Sequence, residues 1–153
     1  MLKILDLKTN HRSEPLGIDG VPYFGWKLCS SEKNVTQQAY QLTVEDVQTK
    51  EVVWDSGAVS SSQSSFADYA GAPLHSCTEY RWTVRVWDNH GECAAASADF
   101  ETAFLCTEDW KARWAESTLE RVPDPDYPIG ASCAPVLFRK NFRLSQQPVR
   151  ARL

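Results

Sequence analysis

Long uninterrupted apolar runs are missing from this chain of 153 residues. No stretch approaches the roughly 20 residues that a membrane-spanning helix needs. The opening Met1-Leu2-Lys3-Ile4-Leu5-Asp6-Leu7-Lys8 alternates aliphatic with charged residues and never builds the apolar centre of a signal peptide, so the chain is expected to be cytoplasmic. Blocks of like charge are missing too. Sixteen basic and twenty acidic residues are interspersed and leave a net charge of −4, which gives neither a nucleic acid nor an anionic membrane a surface to recognise. The five cysteines, Cys29, Cys77, Cys93, Cys106 and Cys133, are scattered and contain no Cys-x-x-Cys pair, which argues against a disulfide framework and a zinc site and for reduced thiols. An immunoglobulin-type bridge from Cys29 to Cys77 is the alternative, although Cys77 precedes the strand it would have to sit in. His11, His75 and His90 stand alone in turn-like surroundings, so neither a metal site nor a cofactor is expected. No apolar stripe of helical period persists for three turns, and this points to an all-β chain.

What the chain has instead is alternation. Tyr80, Trp82, Val84 and Val86 fall on one side of an extended segment, and Arg81, Thr83, Arg85 and Trp87 on the other. A strand buried on one face and wetted on the other has this pattern. Asp88-Asn89-His90-Gly91 supplies the turn that follows it. Leu74 stands six residues before Tyr80 and the pair resembles the tyrosine corner of fibronectin type III domains, in which the hydroxyl bonds backbone a few residues upstream. Trp26, Tyr40, Leu74, Tyr80 and Trp82 are accordingly assigned to the core and the corner.

Further strands are predicted over residues 2–7, over 23–30 with Phe24, Trp26 and Leu28 on one face, over 38–47, and over 52–54 as the second arm of a hairpin closed by Asp55-Ser56-Gly57. The serine-rich residues 60–65 are predicted as an edge strand, since hydroxyls tolerate solvent there. Residues 96–104, with Ala98, Phe100, Thr102 and Phe104 on one face, are predicted as the last strand. Residues 1–105 thus read as a β-sandwich of fibronectin type III or immunoglobulin-like type. Residues 106–153 read as a linker and the first strands of a truncated second β-domain. They comprise an aromatic stretch at 109–114, a proline-rich loop at 122–128, a strand at 136–144 and the opening of another at 149–153 that stops in mid-pattern.

Several short motifs occur in a telling order: Pro15-Leu16-Gly17-Ile18-Asp19, Pro22-Tyr23-Phe24-Gly25-Trp26, Gln38-Ala39-Tyr40, Val53-Trp54-Asp55-Ser56-Gly57, Tyr69-Ala70-Gly71-Ala72-Pro73-Leu74, Tyr80-Arg81-Trp82-Thr83-Val84-Arg85-Val86-Trp87-Asp88 and Phe100-Glu101-Thr102. Together they resemble the N-terminal region of bacterial α-L-rhamnosidases of glycoside hydrolase family 78. Trp110-Lys111-Ala112-Arg113-Trp114 and Phe138-Arg139-Lys140-Asn141-Phe142 resemble the start of the next, jelly-roll-like domain of those enzymes. The resemblance implies a parent enzyme that hydrolyses terminal α-L-rhamnosides with inversion, using carboxylates in a downstream (α/α)6 barrel. No position of this chain corresponds to those carboxylates, so no catalytic residue is carried over.

Inverting hydrolysis needs two carboxyl groups roughly 6.5–9.5 Å apart across a sugar-sized cleft. Asp46, Asp55, Asp88, Glu92 and Glu101 form no such pair recognisable from spacing. The expectation is a non-catalytic accessory domain whose partners are the downstream domains of the parent enzyme, with a homodimer through exposed strand edges as a further expected contact. A stand-alone carbohydrate-binding or protein-interaction module is the alternative. Trp54, Trp87 and Trp110 are the candidates for a surface that stacks on sugar rings or docks a neighbouring domain, because indole faces suit either task.

Overall fold

The computed structural model describes residues 1–116, 118 and 137–148. Contacts divide the chain into one unit over Met1–Lys111 and a second over Ala112–Leu153. The first unit holds seven strands: β1 (Leu2–Thr9), β2 (Tyr23–Ser30), β3 (Gln37–Asp46), β4 (Val52–Asp55), β5 (Ala67–Asp68), β6 (Glu79–Asp88) and β7 (Cys93–Glu101). They form a three-stranded sheet ordered β1-β2-β5 and a four-stranded sheet ordered β4-β3-β6-β7. The pairings within both sheets are antiparallel, as in an immunoglobulin-like sandwich.

The sandwich closes on the inward residues of its longest strands. Tyr80, Trp82, Val84 and Val86 of β6 are fully buried, and Leu42 and Val44 of the neighbouring β3 join them. From the opposite sheet, Phe24 of β2 reaches across to Trp82 with ring centroids 4.6 Å apart and to Phe100 of β7 at 6.0 Å. Trp26 meets Tyr40 edge-on at 5.3 Å. Period-2 alternation places all of these side chains between the sheets, and burying such large rings is the main term that holds two sheets face to face.

At one end the Tyr80 hydroxyl accepts a hydrogen bond from the His75 amide at 2.9 Å, while Leu74 packs half-buried against the core. This is the tyrosine corner, and it pins the crossover into β6. Thr102 reinforces the same end, its hydroxyl donating to the His75 carbonyl at 2.6 Å and accepting from the Thr78 amide at 3.0 Å.

The outer face of the four-stranded sheet is polar and pairs within itself. Arg81 and Asp99 stand opposite each other in the β6–β7 ladder and form a bidentate ion pair at 2.7 and 2.9 Å. Thr83 and Ser97, the next facing pair on that side, share a hydroxyl contact at 2.8 Å. Gln41 donates to both oxygens of Asp55, and with the Gly57 amide it holds that carboxyl below its ordinary range.

Three sequence expectations, and one alternative, need correction. Residues 60–65 form no strand. The buried Trp26 indole donates to Gln37, whose amide in turn donates to the carbonyls of Ser61 and Gln63, and the Trp26 amide donates to the Ser64 carbonyl. The serine stretch is thus tied down as a loop, and the short edge strand follows it at β5. The last strand runs over Cys93–Glu101 instead of 96–104, because its partner β6 begins at Glu79, opposite Glu101. Beyond that point Thr102 makes a parallel bridge to Ile18, and Phe104 is exposed. The Cys29–Cys77 bridge does not form, and Cys29, Cys77, Cys93 and Cys106 are free and exposed. Residues 137–144 carry no strand, since nothing among the described residues pairs with their backbone. The proline-rich loop at 122–128, Cys133, Val136 and the strand expected at 149–153 lie outside the described residues.

Replacing Tyr80 with Phe leaves the ring in place and strips the His75 amide of its partner. A loss of about 1–3 kcal/mol in unfolding free energy follows, with an unchanged denaturant slope in urea titration. A change close to zero would mean that the corner bond contributes nothing.

Candidate docking surface

The three candidate tryptophans do not share a platform. Trp54 lies opposite Val44 in the β3–β4 ladder, half-buried, its ring 5.1 Å from Tyr69 in an edge contact and 6.5 Å from Phe24. Neighbouring rings thus engage part of its surface. Trp87 is half-buried on the polar outer face of the four-stranded sheet, between Ala39 of β3 and Cys93 of β7. Trp110 is exposed and follows a single 3-10 turn at Thr107–Asp109, with Phe104 against it at 5.2 Å. Trp26, Tyr40, Tyr80 and Trp82 are buried between the sheets. A separate surface cluster of His11, Tyr23 and Phe66 has centroids 4.9–5.4 Å apart, and its rings pack on one another.

A concave apolar surface lies elsewhere, at the end of the sandwich from which the chain leaves. It is a groove of about 440 Å³ whose walls include Val21, Pro22, Tyr69, Pro73, Leu74 and Leu105. One wall comes from the irregular connector into β2, which Pro and Gly keep out of regular structure. The other is the 69–74 segment that leads to the tyrosine corner. The Leu105 floor is set by a hydrogen bond from its amide to the Ser76 hydroxyl at 2.8 Å. Ser76 also donates to Asp109, so the exit segment is fastened to the same corner.

The 69–74 wall is rigid for a local reason. The Tyr69 hydroxyl donates to the Ala72 carbonyl at 2.7 Å, curling the segment back over its own ring. Burial pushes the Tyr69 phenol above its ordinary pKa, which keeps that donor protonated. Gly71 sits inside the curl. A β-carbon there would stand 2.5 Å from the Tyr69 hydroxyl oxygen and 2.7 Å from the Trp54 β-carbon. Only glycine fits so close an approach.

Val21 is 69 % exposed on the groove, and Phe104 and Trp110 on the exit segment are 47 % and 59 % exposed. Sequence reading did not nominate Val21, Pro22, Tyr69 or Leu105, since none carries reactive chemistry. The motifs Pro22-Tyr23 and Tyr69-Ala70-Gly71-Ala72-Pro73-Leu74 were nonetheless the visible trace of the walls. Among the described residues no three His, Cys, Asp or Glu side chains gather as metal ligands. Asp88 accepts from the amides of His90 and Glu92 and so shapes the β6–β7 turn.

Fold and surface together define an immunoglobulin-like sandwich domain that carries a preformed apolar groove beside its exit. Residues 4–106 match the family described as the Rha78A-like, N-terminal immunoglobulin domain. The chain belongs to that family. It is 35% identical over 130 residues to an α-L-rhamnosidase of Streptomyces avermitilis, covering 80% of this chain and 13% of the relative. It is 33% identical over 146 residues to an α-L-rhamnosidase of Formosa agariphila, covering 91% and 16%. Among solved structures it is similar to the Streptomyces avermitilis α-L-rhamnosidase complexed with L-rhamnose, with a TM-score of 0.71, 33% identity, and coverage of 80% of this chain and 13% of that one. The chain thus spans about an eighth to a sixth of the length of these relatives.

The rigidity of the wall is testable by paired substitutions. Gly71→Ala is expected to lower stability by about 1–3 kcal/mol through overpacking against Tyr69 and Trp54. Gly20→Ala, where an added β-carbon meets nothing within 4 Å, is expected to be close to neutral in the same thermal melts. Equal effects would contradict the packing described.

Proposed function

We propose that this chain is the non-catalytic N-terminal accessory domain of an α-L-rhamnosidase, a longer polypeptide whose remaining domains hydrolyse terminal α-L-rhamnosides. The observation that carries this reading is the family match over nearly the whole sandwich, set beside a coverage of only 13% and 16% of the two α-L-rhamnosidases it resembles. Its role is to brace and orient the rest of the enzyme. The physical support is that three prominent carboxylates serve turns and ladders: Asp88 caps a turn, Asp99 pairs with Arg81, and Asp55 binds Gln41 and Gly57. None of these three carboxylates is positioned as a general acid opposite a general base.

Three of the four edge strands, β1, β4 and β5, offer little to a second copy, which sets a homodimer through them behind domain docking. β4 and β5 are short, and β1 is broken by a bulge at Asp6, where φ is 52° and Lys8 and Lys27 form ion pairs at 3.0 and 2.7 Å. Interrupted, charged edges resist edge-to-edge pairing. A reducing, cytoplasmic setting is part of the proposal and draws support from the free cysteines.

The test is an aryl α-L-rhamnoside assay on two preparations. The purified chain is expected to release no phenol, whereas the full-length polypeptide that carries it is expected to hydrolyse the substrate. Turnover by the chain alone, or an inactive full-length polypeptide, would overturn the proposal.

A further inference from the structure

We propose that the groove between the 19–22 connector and the 69–74 wall is the seat of an apolar segment from a domain that follows residue 153 in the same polypeptide. This rests on the reading of the chain as one domain of a longer enzyme. Several observations lead to it.

The groove is apolar and concave, and it opens where the chain exits, since Leu105 and Cys106 belong to its lining. A domain beyond residue 153 is tethered to this end of the sandwich through the exit segment and residues 112–153. The exposed side chains Val21, Phe104 and Trp110 add apolar surface on the groove and on the exit segment. On the outer face of the four-stranded sheet, by contrast, three polar pairs close on one another: Arg81–Asp99, Thr83–Ser97 and Gln41–Asp55.

The groove walls are also held in place by local contacts. Gly71, the Tyr69–Ala72 hydrogen bond and the Ser76–Leu105 hydrogen bond hold its walls in place before anything binds. Preorganised walls spare the ordering entropy that weakens association.

The tether favours an occupant from the same polypeptide. About 440 Å³ accommodates a few side chains. A segment already joined to this chain docks without the loss of translational freedom that a separate partner bears, so a small contact suffices. The relatives supply the tether, because this chain accounts for 13% to 16% of their length.

The experiment is site-specific photocrosslinking in the full-length polypeptide. p-Benzoylphenylalanine is installed in place of Val21 in one variant and in place of Arg85 in another. Both positions are exposed, and Arg85 lies on the polar outer sheet face. Crosslinked peptides are identified by mass spectrometry after a melting curve confirms the fold of each variant. Crosslinks from position 21 to peptides beyond residue 153, and their absence from position 85, are the expected result. Crosslinks beyond residue 153 from position 85 alone would overturn the groove assignment while leaving the accessory-domain reading intact. Crosslinks from position 21 only to residues 112–153 or to a second copy would overturn it as well. No crosslink beyond residue 153 from either position would count against both the groove and domain docking.

Discussion

Contact between Phe24 of one sheet and Trp82 of the other, with Phe100 and Tyr80 stacked beside it, is the constraint on which the sandwich depends. Those four rings are essentially without solvent exposure. They can meet only if β2 and β6 are both extended, both in register and both turned with the same parity toward the core. A slip of one residue in either strand would carry a charged or polar neighbour inward and an aromatic ring into water. The ladders from β6 to β3 and from β6 to β7 follow from that fixed parity, and the polar cross-strand pairs on the outer sheet face are its mirror image.

The same packing positions the proposed docking groove. Tyr80 belongs to the ring cluster and also supplies the corner hydroxyl, so one side chain both joins the core and anchors the crossover from 69 to 79. Upstream of that anchor the chain curls over Tyr69 and makes one wall of the groove. Downstream of β7, Thr102 and Ser76 tie the exit segment to the same corner. A domain joined at this end meets a preset apolar surface, which suits a brace that must hold its neighbour in one orientation.

Period-2 alternation made β2, β3 and β6 legible in the sequence, because each presents one apolar and one polar face over eight or ten residues. The family resemblance was legible for another reason: its motifs are the tight turns, corner and ring positions that the fold cannot vary freely. The misreadings fall where long-range contacts override local pattern. The serine stretch could pass for an edge strand until Gln37 is seen to hold it as a loop. Ala98 and Phe100 suggested a later strand, but the register is set by β6 and begins with Trp87 opposite Cys93. The groove was invisible because it is built from small and apolar residues of two distant segments, and its rigidity turns on Gly71, which carries no side chain at all. Conversely, the three conspicuous tryptophans proved to occupy three separate settings, a core-facing hairpin, a polar sheet face and the exit segment.

The most direct test of a domain that braces the remainder of its enzyme compares amide hydrogen exchange in the isolated chain and in the full-length polypeptide. The account predicts added protection in the full-length form over residues 19–22, 69–74 and 103–106, with the amides of β3, β6 and β7 unchanged. Exchange that is identical throughout the two forms would show that the sandwich hangs free of its neighbours and would contradict it.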